Sequence, residues 1–186
     1  ELPLGLDPDQ PGHWVLHVEA AGPGTRYRFR VDDGPPLPDP ASMAQPDGVH
    51  GASAVVEPDF EWSDAGFAGP TLADSVFYEL HVGTFTAEGT FDAAIAHFER
   101  LVDLGVTTVE LLPVAQFPGG RNWGYDGVFP FATQDTYGGL DGLRRLVDAA
   151  HGHGLAVCLD VVHNHLGPEG NVLGRFGPYF TDRYRT

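Results

Sequence analysis

The stretch Asp141–His165, DGLRRLVDAAHGHGLAVCLDVVHNH, contains the pattern that decides the fold. Apolar residues recur at helical spacing through its first half, which predicts a helix from about Asp141 to His153 that is closed by Gly154. The residues that follow, Leu155–Val162, are nearly all apolar, as in a strand that is buried on both faces. A helix followed by such a strand is the repeating unit of parallel α/β folds.

Two further strands are predicted upstream, at Val76–Val82 and Val106–Leu112. Between them, residues 91–102 have helical spacing, with Thr90 as the expected N-cap and Gly105 just past the end. Because the strands do not alternate and are separated by helices, we predict an α/β fold with three adjacent parallel strands, covered on both faces.

An open doubly wound sheet and a (β/α)8 barrel both begin in this way, and a barrel takes about 250 residues. Fewer than half that number follow Asp74. Residues 75–186 are therefore either a small open sheet or the first three strands of a TIM barrel. The segment from Pro113 to Gly139 is long for a strand-to-helix connection, and long loops after parallel strands carry function in α/β proteins.

Residues 1–58 are predicted to be all-β. His13–Glu19 and Arg26–Val31 alternate apolar and polar residues, and Ala54–Val56 is a short third strand. Two or three strands are too few for a stable sandwich, and we therefore predict part of a β-sandwich domain. Residues 59–74 have no clear period and are predicted to be a linker.

The composition excludes several classes of protein. The chain has 186 residues, of which 42% are apolar and only 19% charged, as in globular proteins. Its formal net charge of -16 gives it no electrostatic route to a nucleic acid or an anionic membrane. No apolar run reaches the ~18 residues of a membrane span. The first residues, ELPLGLDPDQ, do not form a signal peptide, and we expect a cytoplasmic protein.

The motif DVVHNH at residues 160–165 ends the third predicted strand, where active sites form in α/β proteins. In an extended strand His163 and His165 would face the same side, a pair that suits zinc. The alternative is a packed, hydrogen-bonded histidine. No carboxylate or cysteine follows at ligand spacing, so we predict no metal and no cofactor.

Three other reactive side chains receive structural interpretations. His151 and His153, at the end of the predicted helix, are interpreted as solvated residues that the helix dipole favours there. Cys158 lies within an apolar strand and is interpreted as a small buried residue.

The long loop combines aromatic and acidic residues, among them Trp123, Tyr125 and Asp126. Aromatic rings stack on the apolar faces of sugar rings, and carboxylates bind sugar hydroxyls. Asp126 and Asp160 form a hypothetical pair of glycosidase carboxyl groups. The alternative is that Asp160 is a supporting charge.

Several stretches of the chain resemble glycoside hydrolase family 13, the α-amylase family. They are VFYELHVGTFT, NWGYDGVFPFA, YGGLDGLRRLVDAAHGHGLAVCLDVVHNHLGPEGN and PYFTDRYRT. DVVHNH matches the family signature D-x-x-x-N-H at Asp160, Asn164 and His165. The stretches YRFRVDD, PLPDPASMAQPDGVHGASAVV and FEW are similar to the β-sandwich, of carbohydrate-binding-module type, that precedes the barrel in some members. The resemblance implies the start of a (β/α)8 catalytic barrel in residues 75–186.

The resemblance implies no catalytic residue within this segment. The family uses an Asp nucleophile after the fourth strand, a Glu acid/base after the fifth and an Asp stabiliser after the seventh, which we expect beyond Thr186. Within the segment it implies residues that support the substrate. Tyr125 would stack on the sugar at the cleavage point, and His165 would bond the outer hydroxyl of that sugar.

Three more supporting roles follow from the same motifs. Asp160 would hold an arginine beside the nucleophile, Asn164 would brace its loop, and Asp126 belongs to the motif that contains Tyr125. In many amylases the equivalent asparagine binds calcium, but the sequence shows no further ligand and we predict no metal.

The combination of NWGYDGV and GPEGN favours one activity within the family. It is retaining hydrolysis of the α-1,4 bond next to the terminal trehalose of maltooligosyl trehalose, which releases trehalose. The expected partner is that substrate or another α-1,4-glucan. The alternatives are a glycogen-branching or debranching enzyme, a glucan-binding module without catalytic activity, and a metal hydrolase that uses His163 and His165.

Overall fold

The computed structural model describes residues 1–181 and residue 183, and its first part contains short antiparallel ladders. The strands described there have two residues each. They are β1 (Gly5–Leu6), β2 (Trp14–Val15), β3 (Arg26–Tyr27), β4 (Phe29–Arg30), β5 (Pro36–Leu37) and β6 (Ser53–Ala54). Strand β1 pairs with β2, β3 with β6, and β4 with β5, all antiparallel. The assignment of residues 1–58 to part of a sandwich, and the boundaries at residues 58 and 74, stay predictions.

One of the predicted strands is divided because the chain changes pairing partners within it. The predicted strand Arg26–Val31 is divided at Arg28, so that β3 pairs on one side with β6 and β4 pairs with β5. The guanidinium group of Arg28 donates to the carbonyl oxygen of His50. Pro36 pairs with Arg30 in β5. Proline is tolerated there because each of these ladders has only two strands and both are edges.

The second part contains alternating strands and helices. In chain order they are β7 (Phe77–Leu80), α1 (Val82–Phe85), α2 (Phe91–Ile95), α3 (Phe98–Asp103), β8 (Thr108–Leu111), β9 (Ala115–Gln116), β10 (Phe129–Thr133), α4 (Gly139–Gly152) and β11 (Ala156–Leu159). The predicted helix at residues 91–102 is divided into α2 and α3. Its N-cap is confirmed, because the hydroxyl oxygen of Thr90 accepts a hydrogen bond from the Ala93 N–H at 3.2 Å. Within the described residues, no helix is long and apolar enough to cross a membrane.

The predicted parallel sheet is confirmed. Strand β8 lies between β7 and β11 and pairs with both in parallel. The register aligns Leu80 with Leu111 on one side and Leu159 with Leu111 on the other. All three strands therefore end at the same edge of the sheet.

Helices cover one face of this sheet. Leu80, Val109 and Leu111 are buried in one core cluster with residues of the helices, among them Phe98 and Leu146. A sheet buried on both faces was expected, and this expectation is wrong for the described residues. The cause is that α2, α3 and α4 contribute their apolar faces to a single layer.

The opposite face of the sheet is acidic and partly exposed. Glu79, Glu110 and Cys158 lie side by side in the register of the three strands. Glu79 is exposed, and Glu110 and Cys158 are half-buried, so Cys158 is less buried than the sequence predicted. In a closed barrel this face would line the interior.

The long segment 113–139 has more regular structure than a loop. Strands β9 and β10 pair in an antiparallel hairpin with an irregular register. Two buried glutamines support it. The side-chain oxygen of Gln134 accepts from the Phe117 N–H at 3.0 Å, and its amide donates to the Gly119 carbonyl at 3.0 Å. The side-chain oxygen of Gln116 accepts from the Asp135 N–H at 2.9 Å.

Residues 57–67, which include the start of the predicted linker, are held against α4 by three side chains of that helix, each about one turn from the next. Arg144 donates to the carbonyl oxygens of residues 57 and 58. Asp148 accepts from the N–H and the hydroxyl of Ser63 at 2.7 and 2.8 Å. His151 bonds Asp64 at 2.6 Å and stacks on Phe67 with ring centroids 4.0 Å apart.

These contacts correct the prediction for His151, which is mostly buried rather than solvated. The signal was the spacing 144, 148 and 151, which places polar residues on one helix face. His153 is exposed as predicted, and its Nδ1 bonds the carbonyl oxygen of Ala149 at 2.8 Å.

The buried glutamine gives a test of this arrangement. Replacing Gln134 by Leu would leave the Phe117 N–H and the Gly119 carbonyl without their side-chain partners in the protein interior. We expect the free energy of unfolding to fall by about 2–4 kcal/mol in urea titrations, because each such unsatisfied group costs roughly 1–3 kcal/mol. The matched control is Gln10→Leu at an exposed position, which should change stability by less than about 0.5 kcal/mol. Equal stability of the two variants would contradict the role of Gln134.

Candidate functional site

The candidate site lies where the parallel strands end. His81 directly follows β7, the segment from residue 113 follows β8, and Asp160 directly follows β11. Because the three strands are parallel and in register, these positions share one edge of the sheet. This edge is the one that carries function in α/β folds.

Two glycines allow close backbone packing at this edge: Gly124 within the segment after β8, and Gly167 between that segment and the one after β11. Gly124 has a φ of 98°, and a Cβ on it would collide with the carbonyl oxygen of Pro113. A Cβ on Gly167 would collide with the carbonyl oxygen of Asp126. The Gly167 N–H also donates to the Gly127 carbonyl at 2.9 Å. The glycines of NWGYDG and LGPEG are therefore required by backbone packing.

The structure brings Tyr125, Asp160 and His165 together. The Tyr125 hydroxyl donates to Oδ2 of Asp160 at 2.7 Å. Nε2 of His165 lies 2.8 Å from the carbonyl oxygen of Tyr125, and because a carbonyl only accepts, this nitrogen carries the proton. The segment that follows β11 thus bonds both the side chain of Tyr125, through Asp160, and its backbone, through His165.

The environment of Tyr125 keeps its phenol protonated. The hydrogen bond to Asp160 raises the pKa of the Tyr125 hydroxyl above its usual value. Smaller increases come from desolvation and from the negative charges of Asp160, Glu79 and Glu110. At neutral pH Tyr125 is therefore an uncharged aromatic surface, and 43% of the residue is exposed.

The other predicted site residues lie around this group. Oδ2 of Asp126 accepts from the side-chain amide of Asn122 at 2.8 Å. Asn164 and His163 are exposed. Trp123 is 66% exposed. Its two neighbours are hydrogen-bonded to each other, because the N–H of Gly124 donates to the side-chain oxygen of Asn122.

The geometry behind the zinc hypothesis is absent. The hypothesis required an extended strand through His163 and His165, but β11 ends at Leu159. Among the residues that the structure describes, no group of three or more His, Cys, Asp and Glu side chains is placed to hold a metal ion. Nε2 of His165 is instead used by the Tyr125 carbonyl.

Two residues of the site were missed by the sequence analysis. His81 bonds the carbonyl oxygen of Asn122 at 2.7 Å, and Asn122 in turn bonds the N–H of Gly124 through its side chain at 2.8 Å. The signal for His81 was its place directly after a predicted strand. Asn122 begins the stretch NWGYDGV, but no role was predicted for it, because its partners depend on the conformation of the loop.

Parallel strands joined by helices, with polar side chains at their carboxyl ends, define an α/β protein whose candidate site lies at that edge of the sheet. The Alpha-amylase family, described as alpha amylase, catalytic domain, matches residues 44–178. The chain therefore belongs to the α-amylase family.

Comparison with individual proteins gives close relatives. The chain is 50% identical to the malto-oligosyltrehalose trehalohydrolase of Saccharolobus solfataricus over 97% of this chain and 32% of that protein. It is 54% identical to the Deinococcus radiodurans protein of the same name over 88% of this chain and 27% of that protein. A crystal structure titled as a putative alpha amylase from Salmonella typhimurium has 46% identity and a TM-score of 0.92, and the match covers 98% of this chain and 31% of that one. The chain spans about a third of the length of these relatives.

The bond between Tyr125 and Asp160 gives a second test. In Asp160→Asn the charge and the carboxylate acceptor are lost, so the pKa of Tyr125 should fall towards its usual value. The absorbance of tyrosinate, followed against pH and compared with Tyr125→Phe, isolates this ionisation. Ionisation at the wild-type pH in Asp160→Asn would show that the hydrogen bond is absent in solution. Asp9→Asn, at an exposed position in the turn between β1 and β2, is the control and should leave the titration unchanged.

Proposed function

We propose that this chain is part of a glycoside hydrolase that releases trehalose from maltooligosyl trehalose by cleaving the adjacent α-1,4-glucosidic bond. The observation that carries the proposal is the linkage of Tyr125 to Asp160 and His165 at the carboxyl edge of the sheet. It joins the two motifs that resemble the family into one cluster with an exposed aromatic face. The names of the relatives, at 50% and 54% identity, favour the trehalose-releasing activity.

Each residue of the cluster has a proposed role towards the glucan. Tyr125 stacks on the sugar at the cleavage point, since its ring is exposed and its hydroxyl is already bonded to Asp160. His165 bonds a sugar hydroxyl through Nδ1, because its Nε2 holds the Tyr125 carbonyl. Asp160 holds an arginine beside the nucleophile through the oxygen that Tyr125 does not use. Asp126 and Asn164 support these loops.

The proposed chemistry is retaining hydrolysis. Its nucleophile and acid/base are carboxyl groups about 5 Å apart that flank the scissile bond. We assign neither role to Asp126 or Asp160, because Asp126 lies in the segment after the second parallel strand and Asp160 directly follows the third, whereas the catalytic carboxyl groups of the family are expected after later strands. The catalytic carboxylates are proposed to belong to the part of the relatives that this chain does not cover.

The decisive experiment compares reaction products. The full-length protein is incubated with maltooligosyl trehalose, and the products are separated by thin-layer chromatography. Release of free trehalose supports the proposal. New α-1,6 branches, or their cleavage, would show a branching or debranching enzyme instead. Binding of the glucan without any product would show a binding module.

The exposed ring of Tyr125 gives a prediction for this function. Tyr125→Ala in the full-length protein should lower kcat/KM for maltooligosyl trehalose at least about tenfold, because a ring that stacks on the reacting sugar is lost. The free energy of unfolding should change by less than about 1 kcal/mol, since the ring is not part of a buried core. Trp62→Ala is the control. Trp62 is 47% exposed, close to the 43% of Tyr125, but lies on the segment that packs against α4. Wild-type kcat/KM in Tyr125→Ala would exclude the stacking role.

A further prediction concerns residues 1–186 alone. Glycoside hydrolysis needs one protonated and one ionised carboxyl group on opposite sides of the same bond. We expect this segment to release no trehalose from maltooligosyl trehalose above a buffer blank. The full-length protein under identical conditions is the positive control. Turnover by the purified segment would show that Asp126, Asp160 or another acid in it is catalytic.

A further inference from the structure

His81 connects the end of β7 to the sugar-facing loop, and none of the roles above uses it. Its Nε2 lies 2.7 Å from the carbonyl oxygen of Asn122 and 3.0 Å from the hydroxyl of Tyr137. Its Nδ1 lies 2.9 Å from the hydroxyl of Thr84. The imidazole ring is half-buried and has the ring of Trp123 beside it, with centroids 5.3 Å apart.

The partners determine which nitrogen carries the proton. A carbonyl oxygen only accepts, so Nε2 must donate to Asn122. In neutral imidazole the other nitrogen is then an acceptor, and the Thr84 hydroxyl donates to it. Thr84 lies in α1, one turn after His81, so local structure fixes the orientation of the ring.

The side chain of Asn122 in turn forms hydrogen bonds with the rest of the loop. Its side-chain oxygen accepts from the N–H of Gly124 at 2.8 Å, and its amide donates to Asp126 at 2.8 Å. His81 therefore holds the backbone of Asn122, and the side chain of Asn122 bonds Gly124 and Asp126. Tyr125 lies within this turn, although no contact between Tyr125 and His81 is needed.

We propose that His81 is a positioning residue for the glucan site: its Nε2–H fixes the Asn122 carbonyl and thereby presents Tyr125 to the sugar. This inference rests on the proposed function for the identity of the ligand, but the orientation of Tyr125 is independent of it. The substrate class is an α-1,4-glucan, and His81 touches neither the sugar nor the reacting atoms.

Two substitutions of His81 test its hydrogen-bond donor and the shape of its ring separately. His81→Phe keeps a flat aromatic ring but has no donor for Asn122. His81→Gln loses the ring, but its side-chain amide places a donor where Nε2 lies. The pH at which Tyr125 ionises, measured by tyrosinate absorbance against Tyr125→Phe in each background, reports whether Tyr125 still bonds Asp160. His153→Phe, at an exposed histidine beyond α4, is the matched control.

We expect His81→Phe to lower the ionisation pH of Tyr125, and His81→Gln and His153→Phe to leave it at the wild-type value. In the full-length protein, kcat/KM for maltooligosyl trehalose should fall about five- to tenfold in His81→Phe, as for the loss of one hydrogen bond. It should stay within about threefold of wild type in His81→Gln. The unfolding midpoint in urea is measured for each variant, so that Tyr125 is compared only in folded protein.

Two results would overturn the role of His81. The first is an unchanged Tyr125 titration in folded His81→Phe. The second is an equal loss in His81→Gln and His81→Phe, which would show that the ring packs rather than donates. If the wild-type full-length protein releases no trehalose, the proposed function fails, whereas the Tyr125 titration still decides the role of His81.

Discussion

The in-register pairing of β8 with both β7 and β11 is the constraint on which the site depends. It aligns Leu80, Leu111 and Leu159, so that residues far apart in sequence leave the sheet at one edge. A shift of one residue in either pairing would turn the core-facing side chains to the opposite face. The buried cluster on the helix side resists such a shift, because Val109 and Leu111 would leave it. The position of the loops is thus fixed by the same apolar contacts that stabilise the sheet.

Part of this arrangement could be predicted from the sequence, and the reason is that it is local. The N-cap at Thr90 and the parallel strands depend on residues within one element or on runs of apolar side chains. The position of Asp160 after a strand was also visible. What escaped prediction depends on distant partners. The hairpin formed by β9 and β10 lies in a segment rich in glycine and proline, and its glutamine contacts span 17 and 19 residues.

The packing of residues 57–67 on α4 shows the same limit. Ser63 and Asp148 are 85 residues apart in sequence, and His151 and Asp64 are 87 apart. Nothing in the local pattern of either segment identifies the other. His151 was interpreted as solvated, because a helix face that binds another segment through hydrogen bonds has the same composition as a face in water. In the candidate site, Tyr125 and Asp160 were each singled out, but the bond between them was not foreseen.

The proposed function uses the exposed aromatic rings of the loop as the surface that contacts the sugar. Trp123 and Tyr125 are 66% and 43% exposed although the backbone around them is held by Asn122, His165 and two close-packed glycines. Single exposed apolar side chains are common and need no explanation. Here, however, several hydrogen bonds and two glycine contacts hold the loop in a conformation that leaves large rings in water. A rigid backbone that presents uncovered rings is what a sugar-binding surface requires, because little conformational entropy is then lost when a ligand stacks on it.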